Sequence, residues 1–142
     1  MAYLMWWPLL DSLQKFASAH TAMTGIDVRV GSKRPKDPYP CVEIIWDQED
    51  AQNLFRTKDG EFVVWLDCWI KNSAKDPSAG YSDLCTLQES LCQVVVEWTD
   101  AVMEDIDMLL NLELNGIVSD GDSNRPLCGS RMILNIKWKR CS

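Results

Sequence analysis

The sequence predicts an α+β domain: a largely antiparallel sheet flanked by two helices, in the order α-β-β-β-α-β-β, with a long protruding β-hairpin. Three observations carry this expectation. Two stretches place apolar residues at helical spacing, and five others read as strands at period two. Most connections between the alternating stretches are turn-rich, which favours antiparallel hairpins with helices packed on the sheet. The 142 residues form one domain, 1–142, long enough to bury a core without staples.

The first helix begins near Pro8, a residue suited to a first turn. Leu9, Leu10, Leu13, Phe16, Ala17 and His20 then recur at helical spacing, and Gly25 is the stop. "IDVRV" (26–30) is a short first strand, and the three prolines of "GSKRPKDPYP" (31–40) impose a loop. "CVEIIWD" (41–47) is the second strand. "NLFRT" (53–57) and "EFVVWLDCWIKN" (61–72) read as the two arms of the protruding hairpin, with Asp59-Gly60 as its turn signal and the lower half of the long arm pairing with the second strand. "SAKDPSAG" (73–80) is a connector. Ser82 caps the second helix, with Asp83 near its positive end. The apolar stripe of that helix is Leu84, Leu87, Leu91, Val94, Val95, Trp98 and Val102, and it ends between Met103 and Ile106. "LLNLELNGIV" (109–118) and "RMILNIKWKR" (131–140) are the last two strands, joined by a long polar loop, 119–130.

One stretch departs from the usual pattern of an antiparallel sheet. In "GEFVVWLDCWIKN" (60–72), Phe62, Val64, Leu66, Cys68 and Ile70 point one way, while Val63, Trp65 and Trp69 point the other, interrupted only by Asp67. A strand with one face in water is not apolar on both sides. The second face is covered either by a helix of this chain, if one packs on each side of the sheet, or by another molecule.

Composition limits the function. The net charge of −7 opposes general nucleic-acid affinity, which rests on Lys and Arg neutralising phosphates. It suits a soluble surface, or one past which DNA slides. The apolar opening "MAYLMWWPLL" is too short to cross a bilayer and lacks the basic start and cleavage site of a signal peptide. No membrane association is expected. The six cysteines contain no C-x-x-C pair, so reduced, buried thiols are expected in preference to a disulfide framework. Seven tryptophans are many for this length, and Trp is enriched in cores and interfaces.

Catalytic chemistry finds little support. His20, the only histidine, ends the first helix, where the helix C-terminus favours imidazolium. No G-x-S-x-G elbow accompanies it, and nothing marks one cysteine as activated. Asp120, Asp122 and Asn124 open like a calcium loop. Arg125 then stands at the turn glycine and Arg131 at the bidentate glutamate, so a polar turn is expected and no metal. Glu104, Asp105 and Asp107 read as a solvated acidic helix end. Two basic clusters, Lys33, Arg34 and Lys36 in the first long loop and Lys137, Lys139 and Arg140 at the C-terminus, read singly as solvated loop and tail. No catalytic residue and no cofactor are expected.

The element order, the length, the hairpin "NLFRTKDGEFVVWLDCWI", the helix "DLCTLQESLCQVVVEW" and the closing "MILNIKW" together resemble the tail-terminator, or tail-completion, proteins of long-tailed bacteriophages and their related neck proteins. The resemblance is one of pattern across nearly the whole chain. It implies a virion protein, assembled in the host cytoplasm, whose copies form a homo-oligomeric ring, usually a hexamer, at the head-proximal end of the tail tube. Such a ring ends tube polymerisation and meets the tail-tube protein on one side and the head-tail connector protein on the other. DNA passes through its lumen without specific binding, as an acidic wall favours. A neighbouring subunit would then cover Val63, Trp65 and Trp69, and a contact repeated about a rotation axis closes a ring. Position and chemistry, not a family motif, nominate the contacts. The hairpin tip, Arg56, Thr57, Lys58 and Asp59, reaches a neighbour or the tube, and the loop with Lys33, Arg34 and Lys36 is a second contact.

The alternative is a small acidic secretion chaperone, dimeric, binding extended effector segments. Such chaperones share the helix and strand order but usually add a C-terminal helix, where this chain has "NIKWKRCS". An enzyme using cysteine or paired carboxylates is the third reading.

Overall fold

A computed structural model describes residues 4–32, 38–50, 55, 59–72, 76–105, 107–124 and 126–141. Helix α1 (Trp6–Ala19) is followed by a 3-10 turn (Thr21–Met23) and strand β1 (Asp27–Val30). Strands β2 (Cys41–Asp50) and β3 (Asp59–Lys71), helix α2 (Pro77–Asp105), and strands β4 (Met108–Ser119) and β5 (Leu127–Arg140) complete the order. This is the predicted α+β arrangement. The five strands lie in the order β1-β2-β3-β5-β4, with β1 parallel to β2 and every other pair antiparallel.

Both helices cover the same face of the sheet. Leu9, Leu10, Leu13 and Ala17 of α1 share one core cluster with Leu84, Leu87, Leu91, Val94, Val95, Trp98 and Val102 of α2. The predicted stripe of α2 is thus buried in full. The strands contribute one alternate set, including Val42 and Ile44, Phe62 through Ile70 at even positions, and Met132 through Trp138 at even positions. The indole N–H of Trp98 donates to Ser12 Oγ at 3.0 Å and fastens the helices together. Trp6 of α1 stacks on Trp46 of β2, with ring centres 4.2 Å apart.

Several boundaries differ from expectation. The first helix ends at Ala19, six residues before Gly25. His20 turns to an extended backbone, ψ 137°, and its Nδ1 accepts the Ala22 N–H to start the 3-10 turn. Its other ring nitrogen meets the Glu97 carboxylate of α2. Helix α2 begins before Ser82, at Pro77. Asp76 is its N-cap: Oδ1 accepts the Ser78 N–H at 3.0 Å, and proline fills the first helical position. The final loop is shorter than 119–130, because Leu127–Ser130 already pair with β3 as part of β5.

The hairpin is also built differently. The arm antiparallel to β3 is β2 itself, in register from Cys41↔Trp69 to Asp50↔Glu61, with a bulge between Trp46 and Gln48. The expected first arm, 53–57, is not that partner: its described residue, Phe55, is helical, and the others lie outside the described residues. Asp59-Gly60 is not the turn but the start of β3, opposite Lys139 and Trp138. Gly60 is required by packing, since a Cβ there would stand 2.7 Å from the Trp138 ring. The described part of the hairpin lies within the sheet, because β5 pairs with β3 from Asp59 to Lys71.

Candidate interaction surface

With both helices on one face, the other alternate set of side chains forms an outer face. No helix or strand among the described residues lies over it. The first possibility for the two-faced strand, a helix on each side, is therefore overturned for the described chain. Phe62, Val64, Leu66, Cys68 and Ile70 are buried beneath the helices, while Val63, Trp65 and Trp69 are half-buried on the outer face. Ile45 stands beside Trp65 on β2 and Ile133 beside it on β5, which widens the apolar strip across three strands.

A row of charges crosses the strip. Arg29, Glu43, Asp67 and Arg131 are consecutive cross-strand partners on β1, β2, β3 and β5. Glu43 and Asp67, both buried, would repel if left as neighbours, and an arginine stands at each end of the pair. Arg131 Nε donates to Asp67 Oδ1 at 2.9 Å, and a terminal nitrogen donates to Oδ2 at 2.9 Å. The same guanidinium lies 3.8 Å from the centre of the Trp65 ring. The hydrogen bond to Asp67 pushes the Arg131 pKa up. Asp67, which interrupts the apolar pattern in the sequence, thus anchors an arginine over a tryptophan.

Trp69 has a different neighbour. Its ring rests against Gly129, where a Cβ would lie 2.3 Å from the ring carbons. The Gly129 carbonyl accepts the Asp120 N–H at 3.1 Å, which ties the β4–β5 turn to the same spot. Within that turn Asp120 Oδ1 accepts the Asp122 N–H at 3.1 Å, and Gly121 and Asp122 adopt positive φ of 65° and 61°. Asp122 accepts the Tyr81 hydroxyl of α2 at 2.5 Å, a bond that raises the Tyr81 pKa. The two carboxylates of the calcium-like spacing are therefore used within the turn and against α2. Trp65, Asp67, Trp69, Asp120, Arg131 and their neighbours line an open cleft of about 370 Å³ on the outer face.

Of the other nominated residues, Asp59 is the first residue of β3, opposite Lys139. Arg56, Thr57 and Lys58, and Lys33, Arg34 and Lys36, lie outside the described residues. The C-terminal basic cluster is not a free tail. Lys137 and Lys139 face Glu61 and Asp59 across strands, and Arg140 lies 5.3 Å from the Trp138 ring. The cysteines divide: Cys41, Cys68 and Cys128 are buried as expected, Cys92 is partly buried, and Cys85 and Cys141 are exposed. Sequence reading missed Ile133 and Asp120 as members of the outer cleft, and Gly129 as the seat of the Trp69 ring. Period two assigns Ile133 and Gly129 to a face only once the start of β5 is known, and Asp120 belongs to a turn.

Compared with known proteins, the chain matches no family model and no curated relative.

Proposed function

We propose that this protein is a structural subunit of a bacteriophage tail, forming a ring at the head-proximal end of the tail tube. In this role it ends tube polymerisation and joins the tail to the head connector. The observation that carries the reading is the outer face: Val63, Trp65, Ile133 and Trp69 form an aromatic and aliphatic strip on a sheet whose helices both lie on the opposite side. Such a strip is typical of a surface that meets a protein partner. The element order supports the reading by its resemblance to tail-terminator proteins. The net charge of −7 is compatible with a lumen through which DNA passes without sticking. In the ring, a neighbouring copy packs against the strip, and the 51–58 segment between β2 and β3 supplies contacts to that neighbour or to the tube.

The test is assembly of a polymerising tail-tube protein in the presence of this chain. The reading expects tubes that stop growing and carry density for this protein at one end, seen by electron microscopy. Unchanged tubes with bare ends, together with a dimer that binds an extended secretion substrate, would reject it in favour of a chaperone.

A further inference from the structure

The two edges of the sheet are unlike. β1 has four residues, two of them charged, Asp27 and Arg29. β4 has twelve, and among the described residues it pairs with β5 alone. On its other side, alternate backbone N–H and C=O groups meet no strand. Long edges are usually blunted by lysine, proline or a bulge. β4 has no lysine or proline, and its bulge, between Leu114 and Gly116, leaves 108–114 regular. Its single ionic residue, Glu113, lies 4.0 Å from Lys137 of β5. The side chains beside this edge are apolar. Leu114 is 48% exposed, and Val96 of α2 is 62% exposed. Both border an apolar groove of about 190 Å³, with Cys92 and Val95 of α2 and Leu112 of β4. An unpaired backbone edge calls for a strand, and an apolar groove beside it calls for a strand with apolar alternate residues. β4 is itself such a strand.

We propose that β4 pairs with β4 of a second copy of this chain, antiparallel about a two-fold axis normal to the sheet. The two sheets then join edge to edge, with the helices of both copies on one side. The residues of β4 set the register. With Glu113 on the axis, it would face its own copy and repel it. With Leu114 on the axis, the pairing would run across the bulge. With Leu112 on the axis, Glu113 faces the partner's Asn111, Leu110 faces the partner's Leu114, and Leu112 meets itself. Each copy thus presents the same self-complementary leucine row, as a two-fold contact requires. The contact uses the edge of the sheet and not the outer face, so it and the tail reading can fail separately.

The experiment is sedimentation velocity of the full chain over a concentration series, with hydrogen exchange read on peptides that span β4. A monomer–dimer equilibrium should appear, and exchange across 109–114 should slow as the dimer forms. Leu114→Lys puts a charge at an exposed position of the contact. It should weaken dimerisation about tenfold or more while the circular dichroism stays native. The register is read by cross-linking with copper phenanthroline in a chain whose Cys85 and Cys141 are replaced by Ser. Leu112→Cys should give a covalent dimer, because only a residue on the axis meets its own copy. Val118→Cys, exposed but far from the axis, should not. A chain that stays monomeric throughout the series, or a dimer indifferent to Leu114→Lys, would overturn the proposal. So would cross-linking at position 118 and not at 112, or a dimer that survives Leu114→Lys and is lost when Trp65 and Trp69 are replaced by Glu.

Discussion

The guanidinium of Arg131 lies 3.8 Å from the centre of the Trp65 ring while both of its bonds to Asp67 measure 2.9 Å. One side chain thus shields an outer-face indole and neutralises a carboxylate that is only 7% exposed. Removing it leaves Asp67 buried beside Glu43 without its bidentate partner. Arg131→Met should therefore destabilise the fold by about 2 kcal/mol. This is below the range for fully buried pairs because Arg131 itself is 40% exposed. Urea denaturation measures it. Adding Asp67→Asn to Arg131→Met should cost less than the two single losses summed, since the stranded charge disappears. Strict additivity would mean that the pair does not act as a unit.

Gly129 and Trp69 make a second coupled pair. A methyl group at position 129 would stand 2.3 Å from ring carbons of Trp69, so Gly129→Ala must displace the indole or bend β5. The expected loss is about 1–3 kcal/mol, the usual range for overpacking. In a Trp69→Ala background the same change should cost much less. Thermal melts of the four proteins in this cycle check the prediction, and an equal cost in both backgrounds would contradict the packing described.

Much of this architecture is legible in the sequence because periodicity reports burial. The seven apolar positions of α2 and the even-numbered face of β3 follow from spacing alone, and all are buried. The errors arise where one residue type serves two physical roles. Asp59-Gly60 has the composition of a tight turn, yet Gly60 is there to admit the Trp138 ring. The Asp76-Pro77 start of α2 is hidden in a stretch rich in turn-forming residues, although Asp at the cap and Pro at the first position is itself a helix signal. The outer face is legible only in part. Val63, Trp65 and Trp69 show that a second apolar face exists, but which side the helices take depends on the whole chain path. Arg131 joins Asp67 across 64 residues, a pairing that no local pattern contains.

Glu49 links stability to pH. Past the bulge in β2 it stands opposite Phe62, burial raises its carboxyl pKa above 4.5, and its Oε1 has no hydrogen-bond partner among the described residues. A raised folded pKa means that the folded protein holds this proton more tightly than the unfolded chain does. The stabilisation is fully present below the unfolded value and is lost as pH rises through the higher folded value. Glu49→Gln mimics the protonated form. Its Tm should exceed that of the parent at pH 7, and the gap should close as pH falls to about 4. A gap independent of pH would reject the assignment.

The thiols should react in an order set by burial. Desolvation pushes Cys68 up to about 12, and burial also raises Cys92. Cys85 and Cys141 are exposed, with Cys141 raised by desolvation and by Asp107. Iodoacetamide at mildly alkaline pH should modify Cys85 first and Cys141 more slowly, because thiolate is the reacting form. Cys68 should react only on unfolding. Mass spectrometry of peptides from a time course reads the order, and early labelling of Cys68 would show that its strand opens readily.

Native mass spectrometry of the purified chain, alone and mixed with tail-tube protein, tests the ring most directly. The account predicts a closed ring of six copies in at least one of the two samples, and its loss when Trp65 and Trp69 are both replaced by Glu in a chain that still shows native secondary structure. A monomer or a dimer in both samples, or a ring indifferent to those substitutions, would contradict it.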